Sequence, residues 1–462
     1  MQRYVIIGNG AAGTAAAEEL RRRDALASIT VLTNEPYSMY SRPGLAYLLI
    51  EEVSHHRAME RDPEWYGRWQ IRLIYSRAER IDFYARQVRL ANGQDLPYDA
   101  LLIAVGAVAV PSTLPGADLD GVVNLDTMDS TLEIIRRAKS ARAAIVVGGG
   151  ITALEMAEGF AHHKIETHYF VRKHNLWSAL LNDNESSLVE RQILQHGVHI
   201  HYGTETVELV GIDGRVSAAI TTKGETIDCQ MVGVAIGVRA NLALGKGTPL
   251  ATDRGILTDE TLQTNLPGAY AAGDCAQIYD RLSGEHRCDS LWSTAVASGR
   301  AAAINMTGER YPYVKGVPFN AALLFGLHLT TIGQVSAAGP KDGEAEELSF
   351  ISRGSSEVWT AKPGGGYTSA WANDATSSQR LILRDSTIVG ALLLGNQRLA
   401  DPLRDLIEGR VDISAVKSHL VQGGNTQGLA KAVMEAWRQS RSNERTAHLA
   451  QTREFGRLGG SS

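Results

Sequence analysis

The chain has 462 residues, 44% hydrophobic and 21% charged, with a net charge of −5. That balance excludes a largely disordered chain, and it excludes a general nucleic-acid binder, which would carry a basic stripe. Glycine is the outlier, at 46 residues beside only 6% aromatics, a composition that goes with tight turns and close backbone approaches.

Tyr4-Val5-Ile6-Ile7 reads as a buried strand with no secretory signal before it. Gly8-Asn9-Gly10-Ala11-Ala12-Gly13 follows, and an Ala-rich helix runs to about Arg23. The spacing of the three glycines has a physical reason. Gly8 permits the turn, Gly10 lets the backbone approach a pyrophosphate, and Gly13 lets helix and strand pack closely. The helix N-terminus adds unpaired N–H groups and the positive end of its dipole. Ile29 to Leu32 is the next strand, and Glu35 beyond it is placed to bind a ribose hydroxyl. The plainer reading of Glu35 is an exposed loop carboxylate.

A helix-poor stretch comes next. Ile71 to Ile81 and Gln87 to Leu90 read as strands, with Asn92-Gly93 as a hairpin turn. Leu101 to Val110 reads as one buried strand containing Gly106; it is the longest apolar stretch and is too short to span a membrane. Pro111 and Pro115-Gly116 mark a boundary. The opening pattern then returns. Ala144 to Val147 leads into Gly148-Gly149-Gly150-Ile151-Thr152-Ala153, a helix carrying Glu155, and a strand from Thr167 to Val171. Ala153 takes the third glycine's place and still allows close packing. Arg172 and Lys173 follow the strand where the first copy has an acid. A cation there suits a 2′-phosphate and favours NADPH over NADH, against the plainer reading of a solvated basic turn.

Val207 to Thr222 alternates around Asp213-Gly214 as a hairpin, and Met231 to Val238 reads as a buried strand containing Gly237. A third motif, Tyr270-Ala271-Ala272-Gly273-Asp274, ends a strand with a carboxylate that can accept bonds from a ribityl chain. A helix from Trp292 to Asn305 follows. Beyond Pro318, the segments Leu327 to Gln334, Val358 to Thr360 and Leu381 to Leu394 read as an antiparallel sheet. Leu403 to Ile407 and Ile413 to Leu420 read as helices, and Gly423-Gly424 breaks the chain. Residues 427 to 455 form a last helix with Leu429, Val433 and Trp437 on one stripe, followed by Arg438, Arg441, Arg445, Arg453 and Arg457. That helix could lie on a membrane surface, dock a partner, or pack on its own domain. Gly459 to Ser462 reads as a loose end.

The histidines (His55 and His56, His162 and His163, His196, His199 and His201) lack the acids and spacing of a zinc site, although His199 and His201 share one strand face. The three cysteines, Cys229, Cys275 and Cys288, form no CxxC pair, so neither a disulfide framework nor a zinc site follows. A reducing cytoplasm is the expected location.

Two dinucleotide fingerprints and a late Ala-Gly-Asp segment resemble the two-dinucleotide-binding flavoprotein oxidoreductases. Further segments resemble the rubredoxin and ferredoxin reductase branch and the flavin part of NAD(P)H nitrite reductases. These are Glu35-Pro36-Tyr37 with Tyr40-Ser41-Arg42-Pro43, Pro63-Glu64-Trp65-Tyr66, Leu291-Trp292 with Gly299 to Ala302, and Phe325-Gly326-Leu327. The resemblance covers about residues 1 to 420. It implies an α/β protein with two Rossmann-like domains and a C-terminal α+β domain. The expected limits are 1–114 and 241–315 for an FAD domain in two parts, 115–240 for an NAD(P) domain, 316–422 for the α+β domain, and 423–462 for a helical tail.

It also implies roles. Gly8, Gly10 and Gly13 match the FAD pyrophosphate turn, Arg42 a basic flavin contact, and Ala78 a backbone contact to adenine. Gly106 matches a glycine near FAD, with Val105 in place of a threonine, and Asp274 the FAD-binding aspartate. Glu155 matches a glutamate between flavin and nicotinamide, and Gly237 a glycine facing the NAD(P) site. One departure matters. Relatives that reduce disulfides or peroxides carry a cysteine near the flavin, and Tyr40-Ser41-Arg42-Pro43-Gly44-Leu45 has none. Disulfide exchange needs a thiolate, so electron relay is expected: NADPH or NADH to FAD to a small iron–sulfur carrier or a partner subunit. The alternatives are an NAD(P)H oxidase or quinone reductase, and an NAD(P)H-responsive binding module. A homodimer is among the expected assemblies.

Overall fold

The computed structural model describes residues 1–281, 283–335, 351, 353–360, 366–421 and 426–458, of which 358, 360 and 443–458 are described by backbone alone. Gly423-Gly424, Gly459 to Ser462 and the side chains of Arg445, Arg453 and Arg457 lie outside the described residues. The chain divides into two compact units. The larger holds residues 1–178, 189–315 and the described part of 346–358; the smaller holds 179–188, the described part of 316–345, and the described residues from Trp359 on.

The larger unit contains two five-stranded parallel sheets of like design. The first has the order Ala269–Ala271, Ala100–Ile103, Arg3–Ile7, Ser28–Thr33, Ile71–Tyr75. The second has the order Val198–Tyr202, Glu166–Val171, Ala143–Val147, Met231–Val234, Val122–Val123. In each, the strand before the glycine turn is central. Its partner on one side is the strand that follows the next helix, with Tyr4 opposite Ile29 and Ile145 opposite His168. Tyr4, Val5, Ile6 and Ile7 are all buried, as expected of a parallel strand covered on both faces.

The first helix, Ala11–Arg23, buries Ala15, Ala16, Ala17 and Leu20. Alanine suits it twice: it is the best helix former, and it leaves room for a close neighbour. That neighbour is the helix Trp292–Met306, where a β-carbon on Gly299 would lie 2.1 Å from the Ala12 carbonyl oxygen. Burying Leu20 contributes roughly 2 kcal/mol.

Two expected strands are shorter than their apolar runs. Leu101 to Val110 breaks into Ala100–Ile103 and Ala107–Ala109, because Gly106 turns the chain at φ +66°. Met231 to Val238 stops at Val234, and Gly237 turns at φ +116°. The two severed ends then pair with each other, Ala107–Ala109 antiparallel to Val238–Ala240. The helix-poor stretch also holds three short helices, Gly44–Leu49, His55–Ala58 and Pro63–Arg68. Ser54 and Asp62 cap the last two through backbone N–H groups of Arg57 and Trp65. Val358 to Thr360, expected as a strand, belongs to a helical turn, Glu357–Thr360.

The smaller unit has one antiparallel sheet in the order Phe319–Leu324, Leu327–Gly333, Thr387–Leu394, Ser378–Arg384, Tyr367–Asn373. The run Leu381 to Leu394 is divided by a turn at Asp385, φ +53°. Helices Ala400–Glu408, Ser414–Val421 and Thr426–Leu458 complete the unit. Leu429 and Val433 enter a core with Leu403, Leu406 and Leu420, and the Trp437 indole N–H donates to Asp405 at 2.8 Å. The apolar stripe of the last helix therefore serves its own unit. A membrane-surface or docking helix would need that stripe free. Among the described residues, no helix is long and apolar enough to cross a membrane.

Candidate dinucleotide sites

The first glycine turn closes around backbone. Gly8 has φ +119°, and a β-carbon there would lie 2.1 Å from the Ala104 carbonyl oxygen. A β-carbon on Gly13 would lie 2.0 Å from the Gly8 oxygen. Gly10 faces open space. It begins the helix of Ala11, Ala12 and Gly13 without any side-chain cap, so a helix N-terminus is left for a ligand. The turn opens on a cleft of about 380 Å³ lined by Gly8, Asn9, Gly10, Glu35, Arg42, Ala78 and Gly106, among others. Expected site residues separated by as many as 98 positions thus share one cavity.

Hydrogen bonds hold this lining in place. Asn9 Oδ1 accepts from the Tyr66 hydroxyl at 2.8 Å. One Glu35 oxygen accepts from the Tyr40 hydroxyl at 2.5 Å, and the other from Arg42 at 2.6 Å. Burial and the Glu35 charge push the Tyr40 phenol above its ordinary range, against the opposing effect of Arg42. Gly273, at φ +73°, packs on the first turn: its β-carbon would lie 3.0 Å from that of Ala12. Asp274 follows it in a 3-10 turn. Burial pushes its carboxyl up to about 6, opposed by the charges of Arg353 and Arg42.

The second turn repeats the backbone path. Gly148 has φ +147°, and its β-carbon would lie 2.1 Å from the Ala235 oxygen. Gly149 faces open space, and Gly150 begins the helix Ile151–His162 without a side-chain cap. Gly150, Thr152, Gly237 and Arg353 line a small cavity of about 20 Å³. The Thr152 hydroxyl is buried and has no hydrogen-bond partner. Glu155 is partly exposed on the same helix. Burial of its carboxyl raises it to about 8, opposed by Arg353. Arg172 and Lys173 follow the strand Glu166–Val171, outside the lining of these two cavities.

Two site residues escaped the sequence reading. Asp126 accepts from Arg42 on its carbonyl oxygen at 2.6 Å, from the Ala109 N–H on Oδ2 at 3.2 Å, and from Arg353 on Oδ1. One aspartate therefore joins an arginine of the first cavity to an arginine of the second. Neither Asp126 nor Arg353 lies in a motif, and no periodicity marks them. The histidines His199 and His201 do share a face, flanking His168, which meets His201 at 3.0 Å. Burial lowers both His168 and His201. Among the described residues, no group of three or more His, Cys, Asp or Glu side chains is disposed to hold a metal ion. All three cysteines are buried and unbridged. Burial pushes the Cys275 thiol up to about 11, Cys229 up to about 12, and Cys288 upward as well.

Comparison with known proteins places these features. A family profile of pyridine nucleotide-disulphide oxidoreductases matches residues 2–299. The chain is 31% identical to rhodocoxin reductase of Rhodococcus erythropolis, over 68% of this chain and 74% of that one. It is 27% identical to the NAD(P)H nitrite reductase of Bacillus subtilis, over 89% of this chain and 48% of the relative. An assimilatory nitrate reductase electron transfer subunit of the same organism is matched over 51% of its length, so the chain spans about half of these two relatives. The fold is that of the ferredoxin reductase for the CYP199A2 system from Rhodopseudomonas palustris, with a TM-score of 0.79 at 22% identity, over 94% of this chain and all of that one. The chain belongs to the pyridine nucleotide-disulphide oxidoreductase family.

Proposed function

We propose that the chain oxidises NADH or NADPH through FAD and passes the electrons to a small iron–sulfur or rubredoxin-type carrier, or to a partner subunit. The observation that carries this reading is the pairing of two glycine turns in one unit with a first cleft that has no thiol. Tyr40 to Leu45 has no cysteine, and the three thiols elsewhere are buried and raised, so none is a ready thiolate. Two relatives bear matching names: rhodocoxin reductase, and the NADH-rubredoxin oxidoreductase of Clostridium acetobutylicum at 26% identity.

The first cleft fits FAD by its own features. Gly10 offers an open backbone, the helix after it has no side-chain cap, and Glu35 and Ala78 line the same space. FAD held there would supply the two-electron chemistry that links the nicotinamide to an electron acceptor. The protein's part is to hold and to exclude. Backbone N–H groups at Ala11, Ala12 and Gly13 meet the pyrophosphate, and Asn9 closes the turn. Glu35, held by Tyr40 and Arg42, offers a fixed carboxylate to a ribose. Arg42, Gly106, Gly273 and Asp274 form the flavin end. Gly148, Gly149, Gly150, Ile151 and Thr152 take the nucleotide diphosphate, with Gly237 beside them. Burial favours the protonated Glu155 carboxyl, which is a hydrogen-bond donor. Arg172 and Lys173 favour a 2′-phosphate, and hence NADPH. A cytoplasmic location is part of this reading, supported by three unbridged thiols.

Anaerobic addition of NADH or NADPH tests the proposal. The flavin absorbance should bleach, and a ferredoxin or rubredoxin should restore it faster than oxygen does. Fast recovery with oxygen or a quinone alone would make the chain an oxidase or quinone reductase instead. Slow bleaching with a long-lived charge-transfer band and altered self-association would make it a binding module. A chain that takes up no FAD would sink the reading altogether.

A further inference from the structure

We infer that Arg353 is a positioning residue for the pyridine nucleotide, and that its guanidinium meets a phosphate oxygen on the nicotinamide half. The inference rests on the proposed use of NADH or NADPH at the second turn. Arg353 belongs to a segment far along the chain from either fingerprint, yet that segment is fastened to the larger unit on both sides of it. Ile351 exchanges backbone hydrogen bonds with Val238 at 2.7 and 3.2 Å. The Ser355 carbonyl accepts from the Ser290 N–H at 2.8 Å, and the buried Glu357 pairs with Arg254. A side chain anchored in this way is held in place before any ligand arrives.

The cavity that Arg353 lines is walled in part by Leu125, Val234 and Val238, and donors reach it from one side chain and one helix end besides Arg353. The helix Ile151–His162 presents an uncapped N-terminus at Gly150. The Thr152 hydroxyl is buried there without a partner. Arg353 adds a guanidinium, which carries five N–H donors, and Asp126 engages Nη2 alone. A buried cluster of donors calls for an acceptor, and a guanidinium beside a helix N-terminus suits a phosphate. The cavity, about 20 Å³, has room for a group about the size of one water. A phosphate oxygen at the nicotinamide ribose answers both conditions. The same guanidinium acts electrostatically on Glu155 and on Asp274, which places it near both dinucleotide sites.

The test is calorimetric binding to the FAD-loaded full chain. The probes are AMP and whichever of NAD⁺ or NADP⁺ binds the wild type more tightly. Arg353→Gln should weaken the dinucleotide about ten-fold, the loss of one charge-assisted contact, while AMP affinity and FAD content stay as they were. Arg353→Lys should recover part of the loss, and Thr152→Val should cost a few-fold. In steady state the loss should fall on KM and leave kcat. If Arg353→Gln binds the dinucleotide as the wild type does, the inference is overturned and the proposed function stands. Equal weakening of AMP, or loss of FAD, would make Arg353 a structural brace and would also overturn it. A wild type that binds no pyridine nucleotide takes the functional reading down with it.

Discussion

The two glycine turns share a backbone path and differ in what they present to a ligand. In both, the first glycine has positive φ and no room for a β-carbon, which would lie 2.1 Å from the oxygen of Ala104 in one and Ala235 in the other. In both, the middle glycine is open. They part at the third position, where Gly13 is crowded to 2.0 Å by the Gly8 oxygen but Ala153 carries a methyl. They part again beyond the second strand, where one copy has Glu35 and the other Arg172 and Lys173. The shared features follow from how a strand, a turn and a helix must join. The differences set how closely the helix settles and which charge follows the second strand.

The largest expected effect breaks the likeness at the third position. Gly13→Ala drives a methyl into backbone and should cost about 3 kcal/mol or more, with loss of bound flavin. Ala153→Gly should cost only about 1 kcal/mol, a helix-propensity effect. Urea midpoints and flavin absorbance measure both, and equal costs would mean that the two turns pack alike. Next comes Gly148→Ala. It should leave FAD in place and abolish bleaching by NADH or NADPH, and a variant that loses FAD as well would show that the two turns are not separable.

A third effect is a pH dependence. The Glu155 carboxyl lies at about 8 in the fold against an ordinary 4.5, so the fold holds its proton more tightly than the unfolded chain does. Its contribution is fully present below about pH 4.5 and is lost as pH climbs through about 8. The melting midpoint of the protein should therefore fall across that window relative to Glu155→Gln. Parallel profiles would contradict the burial argument. The smallest effect is expected at Arg172→Ser, which should raise KM for NADPH several-fold, roughly 1 kcal/mol, and leave KM for NADH unchanged. Equal shifts for both nucleotides would remove the 2′-phosphate from the explanation.

The strand-turn-helix units were legible because their signals are local. Continuous apolar strands and glycines at fixed spacing identify both turns, and Glu35 shares one cleft with Arg42, Ala78 and Gly106, which the family resemblance had singled out. What could not be read depends on distant segments. The run Leu101 to Val110 looks like one strand, and only the pairing of Ala107–Ala109 with Val238–Ala240 explains why it bends at Gly106. Val358 to Thr360 looks like a strand because of its residue types, but the chain closes into a helical turn there. Asp126 and Arg353 meet across 227 positions, and nothing around either one announces the other.

The crossing of the helices Ala11–Arg23 and Trp292–Met306 at Gly299 bears on how the chain matures during synthesis. Every strand of the second sheet lies between Val122 and Val234, whereas the first sheet needs Ala269–Ala271 at its edge. A nascent chain thus owns all of the second sheet while the first is still open at one side. The first fingerprint is covered only once its neighbouring helix has been made through Met306. Completion of the first sheet and its covering helix is then expected to need the chain made at least through Met306.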